Sequence, residues 1–285
     1  MARPIITLLT DFGTKDHYVA SMKGVILGIN PQCTLVDITH EVMPQDVEGG
    51  ALILANAGCW FPKGTIHLSV VDPGVGGKRK PILFVTHDYF FLGPDNGLLA
   101  LAARKDGVKE AIELTNPKFF LPRVSTTFHG RDIFAPVAAY LSRGIQPGMF
   151  GPKLNSWVAL DFEEPSTKGQ KLQGKVLRVD AFGNLITNVS EGLFSQFVQG
   201  RPFVIRVAET AIAGLKQGYW ERRKGQPIAL MGSAGYLEIS VREGSAQKLL
   251  KIKKGDKVFV ETFRRGRDVP PEHLYKDTVR TGSKR

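Results

Sequence analysis

The sequence has 285 residues, two cysteines and a formal net charge of +11. Its length is enough for two domains, while its apolar runs are too short for a membrane span. The cysteine count argues against a disulfide framework, and with no signal-peptide pattern we expect a cytoplasmic protein without a metal or other cofactor.

Residues 1–155 alternate between strand-like and helix-like segments. Strand patterns occur in "IITLLTD", "TLVDIT", "TIHLSVVD" and the hairpin-like "ILFVTHDYFFL". Apolar residues three and four apart predict helices in "DHYVASMKGVILGIN", "QDVEGGALILANAGCWF", "NGLLALAARKDG" and "GRDIFAPVAAYLSRG". This alternation predicts an α/β N-terminal domain with a central, mostly parallel sheet.

The rest of the chain has a different pattern. Residues 156–172 are polar and predict a linker. Residues 173–262 contain short β-rich runs with glycine turns and little helix, which predict a small all-β, barrel-like C-terminal domain. Residues 263–285 form a predicted basic tail that carries +4 of the net charge. Because no nucleic-acid-binding motif accompanies the charge, we expect no nucleic acid or membrane partner.

Four residues could carry chemistry. Asp11 and Asp72 each end a predicted strand, where ligands bind in α/β sheets. Arg79 follows in "VVDPGVGGKR", but the next residues form a strand, so this stretch is not a phosphate-binding loop. His129 lies in "STTFHGRD", just before a helix. Each also has a simpler interpretation: a helix cap for Asp11 or His129, a turn residue for Asp72, and a solvated cation for Arg79.

These residues belong to sequence blocks that occur in a set order: "LLTDFG", "VVDPGVGGKR", "GPDNGLL", "TFHGRD", "DAFGNLITN" and "GSAGYLEI". From residue 4 to 262 the chain resembles the S-adenosyl-L-methionine (SAM) hydroxide adenosyltransferases, which are relatives of the fluorinase and chlorinase enzymes. The resemblance implies hydrolysis of SAM to adenosine and methionine by a homotrimer whose active site lies at the subunit interface. It also implies a catalytic set of Asp72, Arg79 and His129.

The implied chemistry suits these residue types. Water attacks the ribose C5′ carbon, and the sulfonium departs as a neutral thioether that needs no general acid. Arg79 is expected to hold the water and to stabilise negative charge that develops on its oxygen. His129 or Asp72 is expected to accept the proton, with the carboxylate orienting the imidazole.

The resemblance also implies substrate-binding positions. Asp11 matches the carboxylate that grips the ribose hydroxyls. Asn184 matches the residue that reads the adenine edge, with Phe182 as a stacking wall. Asp180 and Ser233 match contacts to the amino and carboxylate groups of methionine. The block that closes over the nucleoside contributes the remaining positions, Tyr236, Glu238 and Ala246.

Three positions bear on the alternatives. Ala234 replaces an arginine of the halogenases, and Gln45 replaces a tryptophan of their methionine pocket. Gly130 corresponds to a glycine of the chlorinase. Ala234 and Gln45 concern how the methionine part is bound, and Gly130 alone is a feature of the chlorinase. The alternatives to the hydrolase are a nucleophilic halogenase acting on SAM, or an inactive adenosine-binding module. The carboxylate of the Asp72 set favours the hydrolase, because a desolvated halide gains nothing from a neighbouring negative charge.

Overall fold

The computed structural model describes residues 3–263. The chain separates into two compact units, Met1–Asp161 and Phe162–Arg285. The predicted linker spans this division, and residues 264–285 of the predicted tail lie outside the described residues. None of the helices between residues 3 and 263 is long and apolar enough to cross a membrane.

The first unit contains a single mixed sheet. Its strands are β1 (Ile5–Thr10), β2 (Thr34–Thr39), β3 (Ile66–Val70), β4 (Pro81–Thr86), β5 (Phe90–Pro94) and β6 (Val108–Glu113). They are arranged in the order β2-β1-β3-β5-β4-β6, and β4 alone runs against the others. The predicted α/β class is confirmed. Strand β6 was not predicted, because this charged edge strand lacks a strong apolar pattern.

Helices cover both faces of this sheet. They are α1 (Tyr18–Ile29), α2 (Val47–Ala57), α3 (Ala100–Asp106) and α4 (Ala135–Ser142). Side chains alternate along β1, so Ile6 and Leu8 join the core beside α1 and α4, whereas Leu9 joins the core beside α2 and α3. The predicted helix at "GRDIFAPVAAYLSRG" begins with a π-helical turn, Gly130–Phe134, before α4.

The second unit is an antiparallel, nearly closed, barrel-like sheet, which confirms the predicted C-terminal class. Its strands are β7 (Ser166–Lys168), β8 (Lys171–Val179), β9 (Leu185–Ser190), β10 (Phe203–Val207), β11 (Thr210–Ala213), β12 (Pro227–Met231), β13 (Tyr236–Val241) and β14 (Lys257–Thr262). They follow the order β11-β10-β14-β8-β9-β13-β12, with β7 beside β8. Two short helices, α5 (Glu191–Val198) and α6 (Ala246–Leu250), accompany the sheet.

Candidate active site

The parallel pairing of β1 and β3 places two of the predicted site residues together. Thr10 is in register with Val70. Asp11 follows the first strand and Asp72 follows the second, so both leave the sheet at the same edge, as expected from their positions at strand ends.

Asp72 and Arg79 form a two-pronged ion pair. The Nε of Arg79 donates to Oδ2 of Asp72 at 2.8 Å and to Oδ1 at 3.1 Å, and its Nη2 donates to Oδ2 at 2.5 Å. Only 9% of the Arg79 side chain and 4% of the Asp72 side chain are exposed. Water therefore screens the pair little, and the interpretation of Arg79 as a solvated cation is wrong.

Arg79 also connects the carboxylate to His129. Its Nη2 donates to Nδ1 of His129 at 2.8 Å, and its guanidinium carbon lies 5.5 Å from the centroid of the Phe134 ring. The expectation that the Asp72 carboxylate orients the imidazole is therefore corrected. Arg79 stands between the two residues and orients the imidazole itself.

This hydrogen bond determines the tautomer of His129. A guanidinium can only donate, so Nδ1 must carry a lone pair and the proton of the neutral ring lies on Nε2. Burial, together with the positive charge of Arg79, holds the pKa of His129 below its ordinary value, although Asp72, Asp132 and a hydrogen bond with the Ser125 backbone act in the opposite direction. The ring is therefore neutral at neutral pH.

A close contact between two loops brings Arg79 to His129. Gly76 has a φ of +74°, and a Cβ on it would lie only 2.1 Å from the backbone oxygen of Thr126. Only glycine fits this position, since any side chain would be strained and would collide with the opposing backbone. The glycines of "DPGVGG" thus allow the 72–79 loop to pack against the segment that carries His129.

A buried carboxylate anchors the other side of that segment. Asp132 is completely buried, and it accepts hydrogen bonds from Arg131 Nε at 2.6 Å and from the Ser125 backbone N–H at 2.8 Å. Burial raises the pKa of Asp132, but the hydrogen bonds from Arg131 and Ser125 outweigh it and leave the pKa below its usual value. The ionised carboxylate therefore holds the turn that precedes and contains His129.

Asp11 is not a helix cap. Helix α1 begins at Tyr18 with His17 in the N-cap position, and no side chain caps it. Oδ2 of Asp11 instead accepts a hydrogen bond from the backbone N–H of Gln45 at 2.8 Å, where Gln45 has a φ of +66°. Beside it, Thr10 Oγ1 lies 2.8 Å from Nδ1 of the buried His40. Asp11 therefore sits in a loop held by polar contacts, and its Oδ1 accepts no hydrogen bond from residues 3–263.

In the second unit, the predicted residues of "DAFGNLITN" form the hairpin turn between β8 and β9. Oδ1 of Asp180 accepts from the backbone N–H groups of Phe182 and Asn184, each at 2.9 Å, and Oδ2 accepts from the Asn184 amide at 2.9 Å. Asn184 is buried, whereas the Phe182 side chain is 78% exposed. The turn presents an aromatic ring that has little contact with its own unit.

The remaining predicted residues of this unit lie on or near β13. Ser233 is exposed in the turn between β12 and β13, and Tyr236 begins β13. Glu238 is buried and accepts hydrogen bonds from Tyr219 and Ser240, each at 2.6 Å. Burial and the Glu238 carboxylate raise the pKa of Tyr219 to about 12. The other predicted residue, Ala246, is fully buried at the start of α6.

The turn that contains Asp180 meets the start of α6. The backbone N–H of Gln247 donates to the carbonyl of Gly183 at 2.9 Å, and a Cβ on Gly183 would lie 2.0 Å from Ser245 Oγ. The structure thus brings the segments of Asp180, Asn184 and Ala246 together within the second unit. The predicted contacts of these residues with substrate stay predictions.

Several residues that support the candidate site were not predicted from the sequence. Phe134 stacks under Arg79, Asp132 anchors the His129 turn, and Asn96 donates to the carbonyl that precedes Asp72. Asn96 and Asp132 both lie in the quoted blocks, which was the available signal. Within residues 3–263, no cluster of His, Cys, Asp or Glu is suited to holding a metal ion.

Comparisons with known proteins agree with this geometry. Residues 6–151 match the model of the SAM hydroxide adenosyltransferase N-terminal domain, and residues 174–259 match that of its C-terminal domain. A solved structure of an uncharacterized conserved protein from Thermotoga maritima has a TM-score of 0.83 and 39% identity, covering 90% of this chain and 99% of its own.

Named relatives extend the comparison. An (R)-S-adenosyl-L-methionine hydrolase from Thermus thermophilus is 37% identical over 89% of this chain and 97% of its own length. A hydrolase of the same name from Methanocaldococcus jannaschii is 35% identical over 89% and 94%, and a fluorinase from Nocardia brasiliensis is 26% identical over 91% and 97%. The chain belongs to the SAM hydroxide adenosyltransferase family.

Proposed function

We propose that the protein hydrolyses (R)-S-adenosyl-L-methionine to adenosine and L-methionine. The observation that carries the proposal is the hydrogen-bonded set of Asp72, Arg79 and His129, placed at the sheet edge of a chain in this family. Hydrolase relatives at 35–37% identity support the same reaction, and the fluorinase matches less closely.

Arg79 positions the attacking water in this proposal. Its Nε and Nη2 groups bind Asp72 and His129, while its Nη1 N–H groups make no hydrogen bond to any residue of the described chain. These free donors are held in a fixed plane, because Asp72 and the Phe134 ring fix the guanidinium. Donors fixed in advance stabilise charge on oxygen without reorganising during the reaction.

The leaving group needs no general acid, whereas the attacking water must lose a proton. The water oxygen forms a bond to C5′ as the C5′–S bond breaks, and the electron pair of that bond remains on sulfur. The sulfonium thereby becomes the neutral thioether of methionine. A nearby carboxylate accepts one proton of the water while the new bond forms, so the attacking oxygen carries partial hydroxide charge and the product is the neutral 5′ alcohol. Orientation of water, carbon and sulfur in one line supplies much of the remaining acceleration.

We assign the proton to Asp72 rather than to His129. The Nδ1 lone pair of His129 already accepts from Arg79, and Nε2 carries the proton of the neutral ring, so neither ring nitrogen has a free lone pair for the proton of the water. Oδ1 of Asp72 has the longer contact with Arg79, at 3.1 Å, and keeps a lone pair for the reacting oxygen. His129 then acts by holding Arg79 in place and by placing an uncharged ring beside the cationic substrate.

The contacts with substrate are assigned residue by residue. Asp11, whose Oδ1 is available, takes the ribose hydroxyls. Asn184 reads the adenine edge beside Phe182. The other assigned contacts, to methionine and to the closing block, are those of Asp180, Ser233, Tyr236, Glu238 and Ala246. A homotrimer and a cytoplasmic location also stay predictions, and light scattering of the purified protein tests the oligomeric state.

One experiment tests the reaction. The protein is incubated with SAM in heavy-oxygen water, with and without chloride, and with and without a chelator. We expect adenosine and methionine in every arm, with heavy oxygen in the 5′ hydroxyl of adenosine. Unlabelled adenosine would contradict attack at C5′. A chlorinated nucleoside that appears only with chloride would indicate the halogenase, and tight adenosine binding without turnover would indicate the inactive module.

A further inference from the structure

The turn at residues 94–96 touches both ends of the loop that carries Asp72 and Arg79. The side-chain Nδ2 of Asn96 donates to the carbonyl of Val71 at 2.8 Å, immediately before Asp72. The backbone N–H of Asp95 donates to the carbonyl of Lys80 at 2.8 Å, immediately after Arg79. Adjacent residues thus bind the entry and the exit of the 72–79 loop.

The hydrogen bond from Asn96 takes the place of one that the sheet does not supply to the Val71 carbonyl. The register between β3 and β5 ends at the pair of Leu68 and Leu92, so Val71 lies beyond this ladder. A buried carbonyl without a partner is costly, and Val71 is completely buried. Asn96 supplies the donor at the point where β3 turns into the loop.

The amide of Asn96 is itself held in one orientation. Its Oδ1 accepts from the backbone N–H of Leu98 at 3.2 Å, which leaves Nδ2 as the end that faces Val71. Its backbone N–H donates to the carbonyl of Pro94 at 3.0 Å. Since both ends of the amide and the backbone are engaged, the donor occupies a fixed point in the sheet rather than a mobile surface position.

We propose that Asn96 is a positioning residue of the active site. Together with the Asp95 backbone, it sets the spacing between the two ends of the 72–79 loop and hence the fit of Arg79 to Asp72 and His129. The inference rests on the proposed function, because it assigns the loop its catalytic role. Asn96 acts through the loop and touches neither water nor substrate.

The first test separates turnover from binding. In Asn96→Ala the end of β3 loses its anchor, and kcat is expected to fall about ten- to a hundredfold while KM for SAM stays within about threefold, because small misplacements of reacting groups cost rate rather than ground-state binding. Asn96→Asp keeps the oxygen that accepts from Leu98 but replaces the donor to the Val71 carbonyl with a second oxygen. It should therefore also show a lower kcat with little change in KM. It also serves if the alanine variant does not fold.

A double-mutant cycle tests whether Asn96 acts through Arg79. In the Arg79→Ala background the loop no longer presents a guanidinium, so adding Asn96→Ala or Asn96→Asp should change kcat by less than about threefold. An equal loss in both backgrounds would overturn the proposal, as would an unchanged kcat in both single variants or a change confined to KM.

Asn116 provides a matched control. Its Nδ2 also donates to a distant carbonyl, that of Met149 at 2.8 Å, and its Oδ1 accepts from the N–H two residues on, that of Lys118 at 3.2 Å. Asn116→Ala should leave kcat near wild type. The outcomes distinguish the two proposals. Normal turnover in Arg79→Ala would refute the proposed function. A low kcat in Arg79→Ala together with a normal kcat in both Asn96 variants would refute only the positioning role of Asn96.

Discussion

Replacing Arg79 with alanine removes the cation that joins Asp72 to His129. The proposed mechanism uses this cation mainly in the transition state, when charge develops on the attacking oxygen. Loss of one such fixed donor costs about a hundred- to a thousandfold in rate. We expect kcat for adenosine formation to fall by that factor in Arg79→Ala, with a much smaller change in KM.

The same change has a cost in stability that must be separated from catalysis. The Asp72 side chain is 4% exposed and loses its ion-pair partner. Breaking a buried pair from one side costs about 3–5 kcal/mol, against a typical total of about 5–15 kcal/mol. Urea unfolding should therefore show a lower midpoint for Arg79→Ala, and rates are compared only where circular dichroism shows the variant folded.

Two further variants make the test specific. Arg79→Lys keeps a positive charge but loses the planar fork that reaches Asp72 and His129 together, so it should recover only part of the lost rate. Lys78→Ala removes the exposed neighbouring cation of the same loop and should leave kcat unchanged. A folded Arg79→Ala variant with kcat within about threefold of wild type would refute the role assigned to Arg79.

The other predictions concern binding, pH and loop packing. Asp11→Asn should weaken adenosine binding in calorimetry about ten- to a hundredfold, and unchanged affinity would contradict its ribose role. Because the pKa of His129 is lowered in the folded protein, kcat should fall as the pH drops through this lowered pKa. The free energy of unfolding should begin to fall below about pH 6.5, because the histidine of the unfolded chain takes up its proton at a higher pH than that of the folded chain. His129→Asn keeps an acceptor for Arg79 and should lose this acid limb; an identical profile would exclude His129 as its source. Gly76→Ala should lower both the midpoint of urea unfolding and kcat. The control Gly64→Ala, at a φ of +85° with no atom within 4 Å of the added Cβ, should lower only the midpoint. Equal effects of the two variants on kcat would show that the contact between the two loops is unimportant for turnover.

The class of each unit and the sheet edge shared by Asp11 and Asp72 could be predicted from the sequence. Apolar residues repeating every second or every third and fourth position are local properties, so strands, helices and their ends could be read directly. Asp11 and Asp72 could be placed at one sheet edge because parallel neighbouring strands end on the same side. Short or charged elements such as β6 escaped because their patterns are weak.

The contacts among the predicted site residues depend on tertiary packing. Arg79 and His129 lie on loops separated by 50 positions, and their contact depends on Gly76 packing against Thr126. No local pattern shows that the guanidinium, rather than the carboxylate, holds the imidazole. The partners of Asn96 were equally hidden, because a hydrogen bond between side chain and distant backbone leaves no periodic trace. Local propensities place groups near one another, whereas packing selects which donor reaches which acceptor.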